Sequence, residues 1–151
     1  MTDSIREQIM VRVSGLLNAS GAGKPTGLKV ERFRLTPIEV SELPHQNLRP
    51  ENEPVDMLRD RGGLQIRTLN LVIEHRAVPA AGKSADQALD KSMTWATKQL
   101  MTDPRQAGLA KSTREGEIEW GKDEDTNTIA LAKQPFAIVY PTARANQESK
   151  T

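Results

Sequence analysis

The sequence predicts an α+β fold: a mostly antiparallel four- to five-stranded sheet with two helices packed on one face. Three observations predict it. Segments 4–17 and 84–101 each carry apolar residues at helical spacing behind a capping signal. The segments between and after them alternate apolar and polar residues with the period of a strand. No apolar run approaches the ~20 residues that a membrane helix needs. The 151 residues are one domain's worth on a prior of roughly 100–200 residues per domain.

The first helix opens at Ser4, three residues before Glu7, the spacing at which each side chain can satisfy the other residue's free backbone N–H. Ile5, Ile9, Val13 and Leu16 then form one stripe. The Gly-rich stretch 18–27 stops the helix. A strand is expected over 28–35. It changes phase, with Leu28 and Val30 on one face and Phe33 and Leu35 on the other, as a bulge or a twist would produce. Ile38 and Val40 could add a short edge segment after Pro37. Segment 44–63 is polar and contains three prolines, and reads as a long functional or mobile loop.

Segment 64–78 is the clearest strand. Leu69, Leu71 and Ile73 take one face, and Leu64, Ile66 and Val72 the other, so it should be central. After a turn at 79–82, Ser84 with Gln87 repeats the capping signal, and Leu89, Met93, Ala96 and Leu100 give a narrow helical stripe. Asp103-Pro104 ends this helix. Segment 113–120 alternates as a half-buried strand, with Gly116, Ile118 and Trp120 on one side and Glu115, Glu117 and Glu119 on the other. A hairpin loop at 121–125 leads to a return strand over 126–140, in which Pro135 marks a change of phase. The expected organisation is one domain over 1–142 and a flexible tail over 143–151.

Composition narrows the function. Lys and Arg number 21 and Asp and Glu 20, a net charge of +1. Residues 1–75 carry ten basic and ten acidic side chains, and 76–151 carry eleven and ten. No basic face stands out, which weakens a case for general nucleic-acid or membrane binding. There is no cysteine, so disulfides, thiolate metal sites and cysteine nucleophiles are excluded. The first ten residues are charged and lack the apolar core of a secretory signal. Hydrophobic residues make up 36% and aromatics 3%, so the expected core is small and aliphatic. Such a chain can be a monomer with long loops, or a subunit stabilised by its neighbours.

No catalytic constellation emerges. Residues 20–26 look briefly like a phosphate-binding loop, but Asn18 stands where the first glycine is needed and Pro25 where Ser or Thr is needed. Asp123, Asp125 and Asn127 have calcium-loop spacing, yet Thr128 replaces the required glycine and Gln134 the bidentate glutamate. His45 and His75 have no partner at metal-ligand spacing and read as surface or rim histidines. Glu115, Glu117 and Glu119 read first as a solvated face; the alternative is a surface for a partner or a channel wall. Arg59, Arg61, Arg67 and Arg76 surround the central strand and its entry, where they could reach a neighbouring subunit's carboxylates.

The order of elements carries a resemblance. A capped helix and a Pro-containing loop precede the strand Gly-Leu-Gln-Ile-Arg-Thr-Leu-Asn-Leu-Val-Ile-Glu (63–74). The helix Ala-Asp-Gln-Ala-Leu-Asp (85–90) follows. The chain then closes with Gly-Glu-Ile-Glu-Trp (116–120) against a strand ending Phe-Ala-Ile-Val-Tyr-Pro-Thr (136–142). Over about 4–142 this resembles the tail terminator (tail completion, lambda minor tail protein U-like) proteins of long-tailed bacteriophages. The resemblance implies a structural virion protein with no enzymatic activity and no cofactor. It would form a ring, expected to be hexameric, on the head-proximal end of the tail tube. There it would stop tube growth and offer a surface to the head and neck. Its partners would be itself, the tube protein, a neck connector and DNA passing through without specific binding. The family has no short motif that transfers by residue. The four arginines are therefore expected interface residues and the three glutamates expected channel-facing ones. The alternatives are another neck, connector or tube-like ring protein, and a small ligand-binding domain.

Overall fold

The computed structural model describes residues 3–57, 64–79, 82–124 and 128–143. It has an α+β fold, with two helices and a seven-stranded sheet. The strands are β1 (Lys29–Arg32), β2 (His45–Asn52), β3 (Val55–Met57), β4 (Leu64–Ala77), β5 (Ser112–Glu115), β6 (Glu119–Lys122) and β7 (Ala130–Ala143). Their order is β1-β2-β4-β7-β5, with β3 beside β4 and β6 beside β7. All pairings are antiparallel except β1 with β2. The count of seven exceeds the four to five expected, because two of the sheet's five columns are each split into two strands.

Helix α1 (Ile5–Asn18) and helix α2 (Ala85–Met101) start where the capping signals placed them. Ser4 Oγ accepts the Glu7 N–H at 3.1 Å. The reciprocal half of that box is replaced, because the Glu7 carboxylate takes two bonds from Arg32 instead, at 2.8 and 3.0 Å. Gln87 Oε1 accepts the Ser84 N–H at 2.8 Å. The helices lock end to side. Two carbonyls in the last turn of α1 take side-chain donors from α2, one of them, Leu16 O, in addition to the Ala19 N–H at 3.3 Å. Trp95 Nε1 donates to Leu17 O at 3.0 Å, and Gln99 Nε2 to Leu16 O at 2.7 Å.

The helices bury Ile5, Ile9, Val13, Leu17, Ala96 and Leu100 against one face of the sheet. That face presents Leu48, Leu69, Leu71, Ile73, Phe136, Ile138 and Tyr140. Among the described residues the other face carries no helix; its β4 positions are mainly polar, whereas its β7 positions are Leu131, Lys133, Pro135, Ala137, Val139 and Pro141. Strand β4 is central, as its two half-apolar faces predict, with β2 and β3 on one side and β7 on the other.

Several expectations fail for identifiable reasons. Segment 44–63 is not a long loop. Its residues 45–52 form β2, in the interior of the sheet, where His45, Gln46 and Asn47 are buried because each finds polar partners there. Pro50 is accommodated at a register shift between Pro50 and Asn52. Residues 58–63 lie outside the described residues. The Ile38–Val40 edge segment is instead a loop with a 3₁₀ turn over Val40–Glu42. The strand expected over 113–120 is two strands with a break at 116–118. Gly116 N–H donates to Pro135 O at 2.8 Å, but Pro135 has no N–H to return, and the ladder parts there. Strand β7 runs to Ala143, paired with Leu64, and the rest of the expected tail, 144–151, lies outside the described residues.

Candidate interaction surfaces

Both histidines are fully buried, contrary to the expectation of surface or rim positions. On the helix-covered face His75 Nδ1 accepts from Ser92 Oγ at 2.7 Å, and its Nε2 donates to Gln134 Oε1 at 2.9 Å. Gln134 Nε2 passes the chain to Thr97 Oγ1 at 2.8 Å, and Thr97 donates to Glu115 at 2.6 Å. Gln46 Nε2 joins from the other side, donating to Ser92 Oγ at 3.0 Å. Serine beside histidine has the look of an activated nucleophile, but Ser92 is only 2% exposed and a carboxamide stands where a carboxylate would stabilise an imidazolium. Burial holds His75 down to about 4, so it is a neutral bridge. The network fills a core gap under α2 with hydrogen-bonded polar groups, and only Gln46 Oε1 among its buried side-chain atoms lacks a partner among the described residues.

The helix-free face carries a chain of ion pairs. Glu74 is met by Asn47 Nδ2 at 3.2 Å and by Arg49 at 3.3 Å. Arg76 Nε donates to the buried Asp123 at 2.7 Å. Nearer β1, Glu31 holds His45 Nε2 at 2.8 Å and Arg34 at 2.7 Å, which pull its carboxyl down to about 2. Arg34 and Lys29 also hold Glu42, so the loop after β1 is clamped over the end of the face.

The expected interface arginines do not form one surface. Arg59 and Arg61 lie outside the described residues. Arg67 is on the helix-covered face, its guanidinium 3.0 Å from Glu53, which also takes bonds from Arg6 and, at 2.6 Å, from the Tyr140 hydroxyl. Arg76 is on the opposite face, bound to Asp123. Both are spent inside the subunit. Asp123, the first residue of the calcium-like spacing, is likewise committed to Arg76; residues 125–127 lie outside the described residues. Lys24, in the phosphate-loop look-alike, donates to Asn18 O at 2.9 Å. Among the described residues, no three or more His, Asp or Glu gather as a metal site would require.

The three glutamates do not share a strand face, because the strand breaks between them. Glu115 ends β5 and accepts from Thr97, Glu117 lies in the break, and Glu119 opens β6 opposite Lys133. Glu117 and Glu119 are exposed. The neighbouring Ile118 and Trp120 were expected to be inward-facing, yet they are 38% and 54% exposed. At the opposite edge, Phe33 and Leu35, just past β1, are 52% and 78% exposed. Phe33 sits in the left-handed region at φ 48°, uncommon for a bulky side chain, while its N–H is tied to Leu48 O at 2.8 Å. Both free edges of the sheet thus expose large apolar side chains.

Among the described residues at least two concavities are mainly apolar, one beside Val11, Leu16 and Leu109 and one at the start of α2. The second, a cleft of about 300 Å³, lies between the start of α2 and the segments flanking β1 and β2, and includes Val40, Leu43, Pro44 and Val78. Sequence reasoning missed it because it joins four separate segments. It also missed Trp120 as an exposed residue. The available signal was a lone tryptophan within an otherwise charged stretch, 115–125.

Set beside models of known protein families and beside curated proteins, the chain matches none.

Proposed function

We propose that this protein is a structural, ring-forming subunit of the tail-terminator kind, which caps the head-proximal end of a phage tail tube and offers the joining surface for the neck. One observation carries the reading. The two free edges of the sheet are different from each other, and each exposes large apolar side chains: Phe33 and Leu35 beside β1, Ile118 and Trp120 beside β5 and β6. Apolar groups at two non-equivalent edges favour head-to-tail contacts between copies, and such contacts close into rings when the rotation permits. The buried polar residues are committed to internal partners, in keeping with a part that binds and assembles without chemistry.

Strand β4 is paired on both sides and has no free edge to offer to a tube. The candidates for contact with the tube and the neck are the helix-free face and the exposed side of α1, where Val11 is 53% exposed. DNA would pass through the ring without specific binding, in line with the balanced charge. The test is genetic and biochemical. Deleting the protein from its phage yields overgrown tubes that fail to join heads, and adding it to growing tubes caps them at a sub-stoichiometric ratio. Tails of normal length that still join heads in its absence overturn the reading.

A further inference from the structure

Trp120 and the apolar cleft lie toward opposite edges of the sheet, and around Trp120 the exposed carboxylates Glu117, Glu119 and Glu124 outnumber the lysines Lys122 and Lys133. Trp120 is more than half exposed in the edge strand β6. Three exposed carboxylates flank it in the chain, those of Glu117, Glu119 and Glu124, and among the described residues none of them takes part in an ion pair. The cleft has an apolar lining of Val40, Leu43, Pro44 and Val78 and two exposed lysines, Lys83 and Lys91, on its α2 side. Neither lysine is ion-paired among the described residues. At about 300 Å³ the cleft is at the bottom of the range for cofactor-sized ligands, and suits a single large side chain.

We infer that the cleft receives Trp120 of a second copy of this chain, with Glu117, Glu119 and Glu124 of that copy facing Lys83 and Lys91. The occupant cannot be the same molecule's Trp120, because the β7 and β4 columns stand between β6 and the β1–β2 side. A tryptophan anchor seated in a desolvated pocket is a common form of contact hot spot. Burying the indole supplies affinity, and the facing charges supply direction and register. Each copy offers one tryptophan and one cleft at different places, so the contact is head-to-tail and leaves both ends of a dimer open for further copies. The inference rests on the ring-forming reading and specifies its subunit contact.

Cross-linking tests it on the full chain. The protein has no cysteine, so introduced cysteines are the only thiols. A Cβ at Gly121 meets nothing within 4 Å, and Thr26 is an exposed residue of the cleft lining to which the contact assigns no role, so Gly121→Cys and Thr26→Cys leave the fold intact, which circular dichroism checks. A short bis-maleimide should join the double variant into a ladder of dimers, trimers and higher species. Each single variant should give no such ladder. Adding Trp120→Ala or Val40→Glu to the double variant should reduce cross-linked product at least tenfold. Mixing those two triple variants should restore a single cross-linked dimer, formed from one intact tryptophan and one intact cleft. Absence of a ladder, a ladder unaffected by Trp120→Ala, or no restoration on mixing overturns the inference.

Tube capping is read separately. Self-association through this contact without capping removes the terminator reading and leaves the contact standing. Capping that Trp120→Ala does not impair removes the contact and leaves the terminator reading standing.

Discussion

Glu53 is the residue on which most internal charge converges. Its carboxylate is 11% exposed and takes bonds from Arg6, Arg67 and Tyr140. These bonds keep the carboxyl below the usual carboxylate range although burial alone would raise it. Glu53→Ala removes the carboxylate partner of the Arg67 guanidinium, which is only 12% exposed and keeps Gln65 Oε1 at 3.0 Å. Breaking a buried pair in this way costs about 3–5 kcal/mol. Arg6 is 40% exposed and can turn to water, which puts the expected loss at the low end. Urea unfolding measures it, and a loss below about 1 kcal/mol would show the cluster to be dispensable.

His75 gives a pH dependence of defined sign. Its folded value of about 4 lies below the ordinary 6.5. Below pH 6.5 the unfolded chain takes up a proton that the folded chain refuses until about pH 4. The neutral-histidine contribution is therefore intact above 6.5 and lost as pH falls from 6.5 to 4, by about 3 kcal/mol in all. His45 is shifted in the same direction by burial. Stability measured across that window should fall steadily with acidification, and His75→Gln should flatten part of the fall. A wild-type profile that is level from pH 7 to 4 would contradict the placement of His75.

At the scale of elements, the break between β5 and β6 has a steric cause that can be tested. A Cβ on Gly116 would lie 2.8 Å from Pro135 Cγ, and a proline ring has little freedom to retreat. Gly116→Ala should cost roughly 1–3 kcal/mol as an overpacking substitution. Pro135→Ala in the same chain should relieve part of that cost, which makes the pair non-additive in a thermal-unfolding cycle. Additive effects would mean that the contact does not govern the break. Strand β2 supplies a second test. Its interior position, between β1 and β4, predicts slow hydrogen exchange at backbone amides that pair across both sides. Rapid labelling throughout 45–52 would argue for the loop that hydropathy alone indicates.

For the whole molecule, the prediction is concentration-dependent assembly without symmetric dimers. A head-to-tail contact adds copies one at a time until a ring closes, and light scattering should show mass rising with concentration past the dimer. Glu117→Gln with Glu119→Gln should weaken that association several-fold, because the carboxylates at the β5–β6 edge are then absent. If association is unchanged while DNA ejection from assembled phage slows, the glutamates belong to a channel wall. Added salt should weaken association too, but only in part, since apolar burial is not screened.

The sequence by itself determined the class of fold, the two helices and the central strand. Those follow from local periodicity: Ile5, Ile9 and Val13 repeat along one face of a helix whatever surrounds them, and β4 carries apolar residues on both faces, the pattern of an interior strand. Capping residues fixed the starts of the helices for the same local reason. Only the tertiary structure decided β2. Its residues His45, Gln46 and Asn47 look solvated in the chain and become interior because Ser92, Glu31 and Glu74 supply hydrogen bonds from other elements. The reverse holds for Trp120, whose alternating pattern promised burial until Pro135 interrupted the ladder and no covering element lay beyond the edge. The candidate surface was legible only as residue types. Which carboxylates stand free, which arginines are spent internally and where an apolar cleft opens depend on contacts between segments far apart in the chain.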